Sequence, residues 1–258
     1  MEGRGKYIVF IGPAGSGKTT LTQSLGDWLE FNGIGVSRIN LDPAIESIPY
    51  SPDVDVRTFV NARDIAISRG LGPNGALLVS MDYLFTKIGE VHKEIERVES
   101  EYNLLDTPGQ MELFAYRPTG NLLIERIAPK NRTVVVFLVD AVFATRIDSL
   151  ISMLLLSYSV SLRHSFPQIN AITKVDTLDR EHLDELYELR DDPTIIIERV
   201  SELERASTRE LIESFANLLL DVGFDFVPVS STSEEGLEEL FGRIQGIISE
   251  MNEFESNI

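Results

Sequence analysis

Short apolar runs alternate with helix-period segments along most of this chain. Lys6 to Ile11 reads as a buried strand, and Lys18 to Phe31 as a helix. Further strands are predicted at "GVSRINLD" (Gly35 to Asp42), "YNLLD" (Tyr102 to Asp106), "TVVVFLVDA" (Thr133 to Ala141), "QINAITK" (Gln168 to Lys174) and "FDFVPVS" (Phe224 to Ser230). The Thr133 run is apolar nearly throughout, as strands covered on both faces are. Helical segments separate most of these strands. The pattern therefore predicts an α/β fold of βαβ units, with a mostly parallel central sheet and helices on both faces.

Two helical insertions are expected within one domain spanning 1–258. In the first, 53–100, Met81, Leu84, Ile88, Val91, Ile95 and Val98 recur at steps of three and four, and Leu77, Leu78 and Phe85 widen the stripe. This predicts a long amphipathic helix, buried in its own subunit or laid on a partner helix. Just ahead of it stands Gly72-Pro73-Asn74-Gly75. The tetrapeptide reads as a turn: glycine permits positive φ, proline fixes φ near about -65°, and asparagine tolerates the left-handed region. The helix is expected to begin near Ala76. The second insertion, 179–221, is charged, and its charges read as a solvated helical face.

The chain has 258 residues, enough for one large domain with an inserted region. A formal net charge of -18 opposes nucleic acid and anionic lipid, so no direct nucleic-acid partner is expected. With no cysteine there is no disulfide framework, no thiolate nucleophile and no cysteine-ligated zinc. The apolar run from Tyr7 to Ile11 is too short for a signal-peptide core. "SLISMLLLSYSVSL" (Ser149 to Leu162) is too short to span a bilayer and reads as a buried helix. A cytoplasmic protein without membrane association is expected.

"GPAGSGKT" (Gly12, Pro13, Ala14, Gly15, Ser16, Gly17, Lys18, Thr19) matches G-x-x-x-x-G-K-[ST] between a predicted strand and a predicted helix. Its glycines let backbone N–H groups curl around phosphates, with Thr20 just behind. Lys18 reaches the β- and γ-phosphates, and Thr19 can ligate Mg²⁺. Asp42 and Asp106 stand at strand ends, where ligands of open α/β sheets bind. Either could serve Mg²⁺ or orient an attacking water, although Asp42 before Pro43 also suits an ordinary turn. "DTPGQ" (Asp106 to Gln110) has the D-x-x-G form by which GTPases sense the γ-phosphate through the Gly109 N–H. Gln110 follows where water-positioning glutamines occur, or as a polar residue opening a helix. "TKVD" (Thr173, Lys174, Val175, Asp176) resembles the N-K-x-D base motif. Its aspartate accepts two hydrogen bonds from guanine, and its lysine stem packs on the ring. Threonine replaces asparagine there and puts the loop support in question. "VSSTSEEGLEELF" (Val229 to Phe241) resembles the last base loop, with Ser231 beside the base, or else a helix N-cap run. His92, His164 and His182 are scattered and read as surface or core residues. Trp28 reads as packing.

Taken in order, "GPAGSGKT", "NLDPA" (Asn40 to Ala44), "GPNG", "DTPGQ" and "TKVD" make the whole chain similar to the GPN-loop GTPases. These are dimerising P-loop enzymes related to signal-recognition GTPases. The resemblance implies a Mg²⁺-dependent GTP hydrolase binding GTP and GDP as a homodimer. Asn74 of the Gly72-Pro73-Asn74 motif would reach the partner's phosphates, and Asp42, Asp106, Gln110 and Lys18 would complete the catalytic set. It also implies a client, since eukaryotic members are linked to RNA polymerase assembly. Two alternatives stand beside it. One is a P-loop kinase of a small metabolite, with Arg57, Arg63 and Arg69 as an acceptor lid. The other is an NTPase scaffold accepting both ATP and GTP.

Overall fold

The short apolar runs pair into one seven-stranded sheet. Its strands are β1 (Lys6–Ile11), β2 (Val36–Asn40), β3 (Val54–Asp55), β4 (Tyr102–Asp106), β5 (Thr133–Asp140), β6 (Gln168–Thr173) and β7 (Val227–Val229). They lie side by side as β3-β2-β4-β1-β5-β6-β7, and every pairing is parallel. The computed structural model describes residues 5–98, 100–111, 117–203 and 206–256. Their helices are α1 (Lys18–Phe31), α2 (Ala62–Arg69), α3 (Pro73–Thr86), α4 (Ile88–Val98), α5 (Pro118–Ile127), α6 (Ile147–Ser161), α7 (Arg180–Asp191), α8 (Ile195–Ser201), α9 (Ala206–Val222) and α10 (Leu237–Ser256).

Strand alternation sorts the core into two layers. Ile8, Phe10, Val134, Val136 and Leu138 face α1 and α10, against Leu21, Leu25, Leu29, Leu237 and Phe241. Tyr7, Val9, Ile11, Val135, Phe137 and Val139 face the other way, toward Leu77, Val91, Leu123 and Leu154 of α3 to α6. Helices on both faces and a parallel sheet are the architecture the pattern predicts. Trp28 packs edge-on against Phe241 at 5.8 Å between ring centroids, and Phe241 meets Tyr102 at 5.0 Å. Among the described residues no helix is long and apolar enough to cross a membrane. The Ser149 to Leu162 stretch lies almost wholly in α6, with Leu150, Ile151 and Leu154 buried.

Four local features differ from the sequence reading. β3 was not anticipated, since it is only two residues long and adds to β2 at the sheet edge. The long amphipathic helix is two helices, parted at Lys87, which caps α3 with φ -99° and ψ 2°. Thr86 Oγ1 donates back to the Tyr83 carbonyl at 2.7 Å, a bond that competes with helix continuation. The strand at Phe224 to Ser230 shortens to Val227–Val229, with Pro228 on the sheet edge where a missing N–H is tolerated. Gly72-Pro73-Asn74-Gly75 is the start of α3 itself rather than a turn before Ala76. Gly72 is the extended N-cap (φ -69°, ψ 168°), and Pro73 takes the first helical position that suits proline. The left-handed glycine here is Gly70, which closes α2 with φ 64°.

Candidate active site

The loop after β1 has the backbone that phosphate binding requires. Gly15 and Gly17 sit in the left-handed region at φ 79° and 90°. Gly12 has no room for a side chain, since a Cβ there would lie 2.6 Å from the Leu138 carbonyl oxygen. α1 then opens at Lys18, so its first N–H groups and the positive end of its dipole face the loop. Lys18 is buried and folds back over the loop, where Nζ donates to the Gly12 and Pro13 carbonyls at 2.8 and 2.9 Å. Burial pulls its ammonium down to about 8, against the opposing pull of Asp106 and Asp42. Ser16 Oγ is buried without a hydrogen-bond partner among the described residues.

Two carboxylates stand beside this lysine. Asp106 ends β4 and is 1% exposed. Burial pushes its carboxyl up to about 6; the Thr19 and Tyr50 hydroxyls and the Lys18 ammonium oppose the rise, and Asp42 adds to it. Oδ2 accepts from the Tyr50 phenol at 3.0 Å, while Oδ1 is buried with no hydrogen-bond partner among the described residues. Asp42 lies two residues beyond β2. Asn40 holds it in place: the Asp42 N–H donates to Asn40 Oδ1 at 3.0 Å, and Asn40 Nδ2 donates to Asp55 Oδ1 at 2.9 Å. Asp42 Oδ1 accepts from the Ala44 N–H at 2.8 Å, so it shapes its own turn while it faces Lys18. Burial raises the Asp42 carboxyl, and the Ala44 and Gly109 amides and Lys18 draw it back. Thr107 Oγ1 donates to the Phe10 carbonyl at 2.6 Å and ties the end of β4 to β1.

The "DTPGQ" loop comes back against the phosphate loop. A Cβ at Gly109 would stand 3.9 Å from that of Ala14. Gln110 Nε2 donates to Asn74 Oδ1 of the same chain at 2.9 Å. The start of α3 and the residue after Gly109 are thus joined within one subunit, a contact that the sequence did not indicate.

At the far side of the loop, Thr173 ends β6 with its hydroxyl 2.8 Å from the Ser16 carbonyl and 3.2 Å from that of Val139. The threonine that departs from the general base motif therefore braces the phosphate loop directly. Lys174 has φ 62°, and its Nζ pairs with Asp140 Oδ2 at 2.5 Å. Its stem runs over the loop, with Cε 3.9 Å from where a Gly17 Cβ would sit. Asp176 is exposed, and its Oδ1 accepts from Ser230 Oγ at 2.6 Å. Ser230 Oγ also receives the Thr232 and Ser233 N–H groups. Ser231 is its half-buried neighbour. Thr20 is exposed on the first turn of α1.

This set suits Mg²⁺. The Thr19 hydroxyl and the Asp42 and Asp106 carboxylates, with Asp106 Oδ1 unpartnered among the described residues, are hard oxygen donors beside a phosphate loop. No group of three or more His or acidic side chains forms a metal cage among the described residues. Of the kinase-lid arginines, Arg57 is clamped to Asp55, with Nη2 2.6 Å from Oδ2. The residues missed in sequence, Tyr50, Asn40, Thr107, Asp140 and Ser230, act through neighbours. Asp140, closing β5, and Ser230, in the last loop, carried a positional signal; Tyr50 carried none. A cavity of about 850 Å³ bordered by Arg146, Leu186, Ile195 and Ile212 lies apart from these residues.

The family described as "Conserved hypothetical ATP binding protein" matches residues 10–250. A GPN-loop GTPase of Pyrococcus abyssi is 39% identical over 176 residues, covering 67% of this chain and 69% of that protein. GPN-loop GTPase 1 of Dictyostelium discoideum is 33% identical over 247 residues; the alignment takes in 92% of this chain and only 60% of the relative's length. A crystal structure of a GTPase in apo form from Pyrococcus abyssi superposes with a TM-score of 0.84 at 32% identity, over 94% of this chain and 97% of that one.

Proposed function

This chain belongs to the GPN-loop GTPase family and is a P-loop GTPase, and from that premise we propose that it hydrolyses GTP with Mg²⁺ as a nucleotide-gated homodimer. The observation that carries the reading is the gathering of Lys18, Asp42, Asp106 and the Gly109–Gln110 pair around one phosphate loop. Loop amides from Gly12 to Gly17 and the Lys18 ammonium hold the phosphates. Thr19, Asp42 and Asp106 would hold Mg²⁺, which when bound would supply positive charge to the triphosphate. Gln110 orients the attacking water, and the Gly109 N–H meets the γ-phosphate. Asp176, held by Ser230, selects guanine over adenine, because adenine lacks the paired donors this carboxylate needs. The Lys174 stem lies along the base. A cytoplasmic location and an assembly role for a larger complex complete the proposal. Capture of a client by the GTP-analogue form but not the GDP form would support that role.

Asn74 has two readings. The family resemblance sends its amide to the partner's phosphates, where it would stabilise developing charge. The Gln110–Asn74 hydrogen bond favours action within its own subunit. Mixed dimers of a Lys18→Ala subunit with an Asn74→Ala subunit separate them. If Asn74 acts across the interface, one site per mixed dimer is intact, and activity exceeds that of either mutant homodimer. If it acts in its own subunit, both sites are damaged and no activity returns after subunit exchange.

A further inference from the structure

Tyr50 lies in no recognised motif, yet its phenol reaches the site. It is 8% exposed and sits 56 positions before the aspartate it touches. A phenylalanine would fill the same space. What the tyrosine adds is one O–H, and a buried phenol needs a partner. Here the partner is Asp106 Oδ2, at 3.0 Å.

The segment that carries Tyr50 is tied down at several points. The Arg38 N–H donates to Asp53 Oδ2 and the Asp53 N–H to the Arg38 carbonyl, each at 2.8 Å. Asp55 receives Asn40 Nδ2 and the Arg57 guanidinium. Arg57 Nη1 in turn donates to the Ile45 carbonyl at 3.1 Å. The loop from Asp42 to Asp55 is therefore braced at both ends, and the phenol approaches Asp106 from a fixed direction.

A carboxylate has two oxygens and about four acceptor positions. The Thr19 hydroxyl also lies against this carboxylate, yet with Oδ2 engaged by Tyr50, Asp106 Oδ1 is buried and has no hydrogen-bond partner among the described residues. An unpaired buried acceptor is costly unless a cation or an ordered water meets it. We propose that Tyr50 is a positioning residue for the metal site: its O–H locks Asp106 by Oδ2 so that Oδ1 is the oxygen turned to Mg²⁺ or to a water bound to it. This rests on the assignment of Asp106 to Mg²⁺ above. It adds a donor outside the phosphate loop and links the ion to the segment leading into the Gly72-Pro73-Asn74 insertion.

The test uses the full chain, the variants Tyr50→Phe, Asp106→Asn and their double, and a fluorescent, non-hydrolysable GTP analogue. Its dissociation rate is measured against free Mg²⁺ and in EDTA. Partners that orient metal ligands are worth roughly 10- to 100-fold in metal affinity. Tyr50→Phe should raise the half-saturating Mg²⁺ about tenfold, leave the EDTA rate unchanged, and add nothing to Asp106→Asn. The inference is overturned alone if Asp106→Asn shifts the Mg²⁺ midpoint and Tyr50→Phe does not, or if Tyr50→Phe speeds release equally in EDTA, as a merely structural role would. If Asp106→Asn leaves the midpoint unmoved, the metal assignment and the inference fall together.

Discussion

Lys18 and Asp106 hold opposite charges in a site built to receive a more strongly charged ligand, and both are strained by burial. The Asp106 carboxyl is raised to about 6 and the Lys18 ammonium lowered to about 8. For Asp106 the folded pKa lies above the unfolded one. Its relative stability is therefore complete at low pH and is lost as pH rises through about 6. For Lys18 the folded value lies below the unfolded one, so its penalty is complete below about 8 and relieved as pH climbs above that. Between the two values both penalties act on the nucleotide-free protein. Asp106→Asn removes the first. At pH 7 the nucleotide-free variant should be more stable than the parent, by about 3 kcal/mol at most. Thermal melts at pH 7 and pH 5 provide the check: the variant's advantage should shrink at pH 5, where the parent's carboxyl is protonated. An advantage that does not change with pH would show that the Asp106 charge is not the source.

At the scale of elements, what could be read in the sequence was whatever repeats. Strands such as Thr133–Asp140 declare themselves by an unbroken apolar run, helices such as Lys18–Phe31 by their period, and the phosphate loop by its glycines and lysine. β3 did not, because two residues carry no period. The break at Lys87 was hidden because three- and four-residue spacing continues across it, leaving Ile88, Val91 and Ile95 on the same apolar stripe. Asp42 and Asp106 were visible because strand ends are predictable places. Tyr50 and the Asn74–Gln110 pair were not, since each depends on a contact between distant segments. Local pattern also identifies glycines that the fold does not require. Gly242 lies inside α10, exposed and without positive φ, and a Cβ there meets nothing within 4 Å. The packed face of α10 is Leu237, Leu240, Phe241, Ile244 and Ile248. Gly242→Ala should therefore stabilise the helix by about 1 kcal/mol, chiefly by restricting the unfolded chain, and raise Tm by about 2–4 °C. A fall in Tm would mean that the site is more crowded than the single subunit indicates.

The molecule as a whole opposes its own substrate. Its formal net charge is -18, while GTP arrives as a polyanion. In the function proposed above, the attraction for the phosphates comes from short-range sources: one ammonium, the loop amides and the first turn of α1. These act within a few ångströms and are partly shielded from salt by burial. The surface charges act over a Debye length, roughly 10 Å at 0.1 M salt and longer in dilute buffer. At low ionic strength a diffusing nucleotide therefore meets the repulsive field before it meets the loop. Electrostatic steering here has the unfavourable sign, and salt should relieve it. The association rate of a fluorescent GTP analogue, measured by stopped flow at fixed free Mg²⁺, should rise about two- to threefold between 20 and 200 mM salt. The dissociation rate, set by contacts already made, should change less. A falling association rate would show that a local positive field at the mouth of the site outweighs the net charge. In that case the acidic surface would have to be concentrated away from the carboxyl ends of the strands.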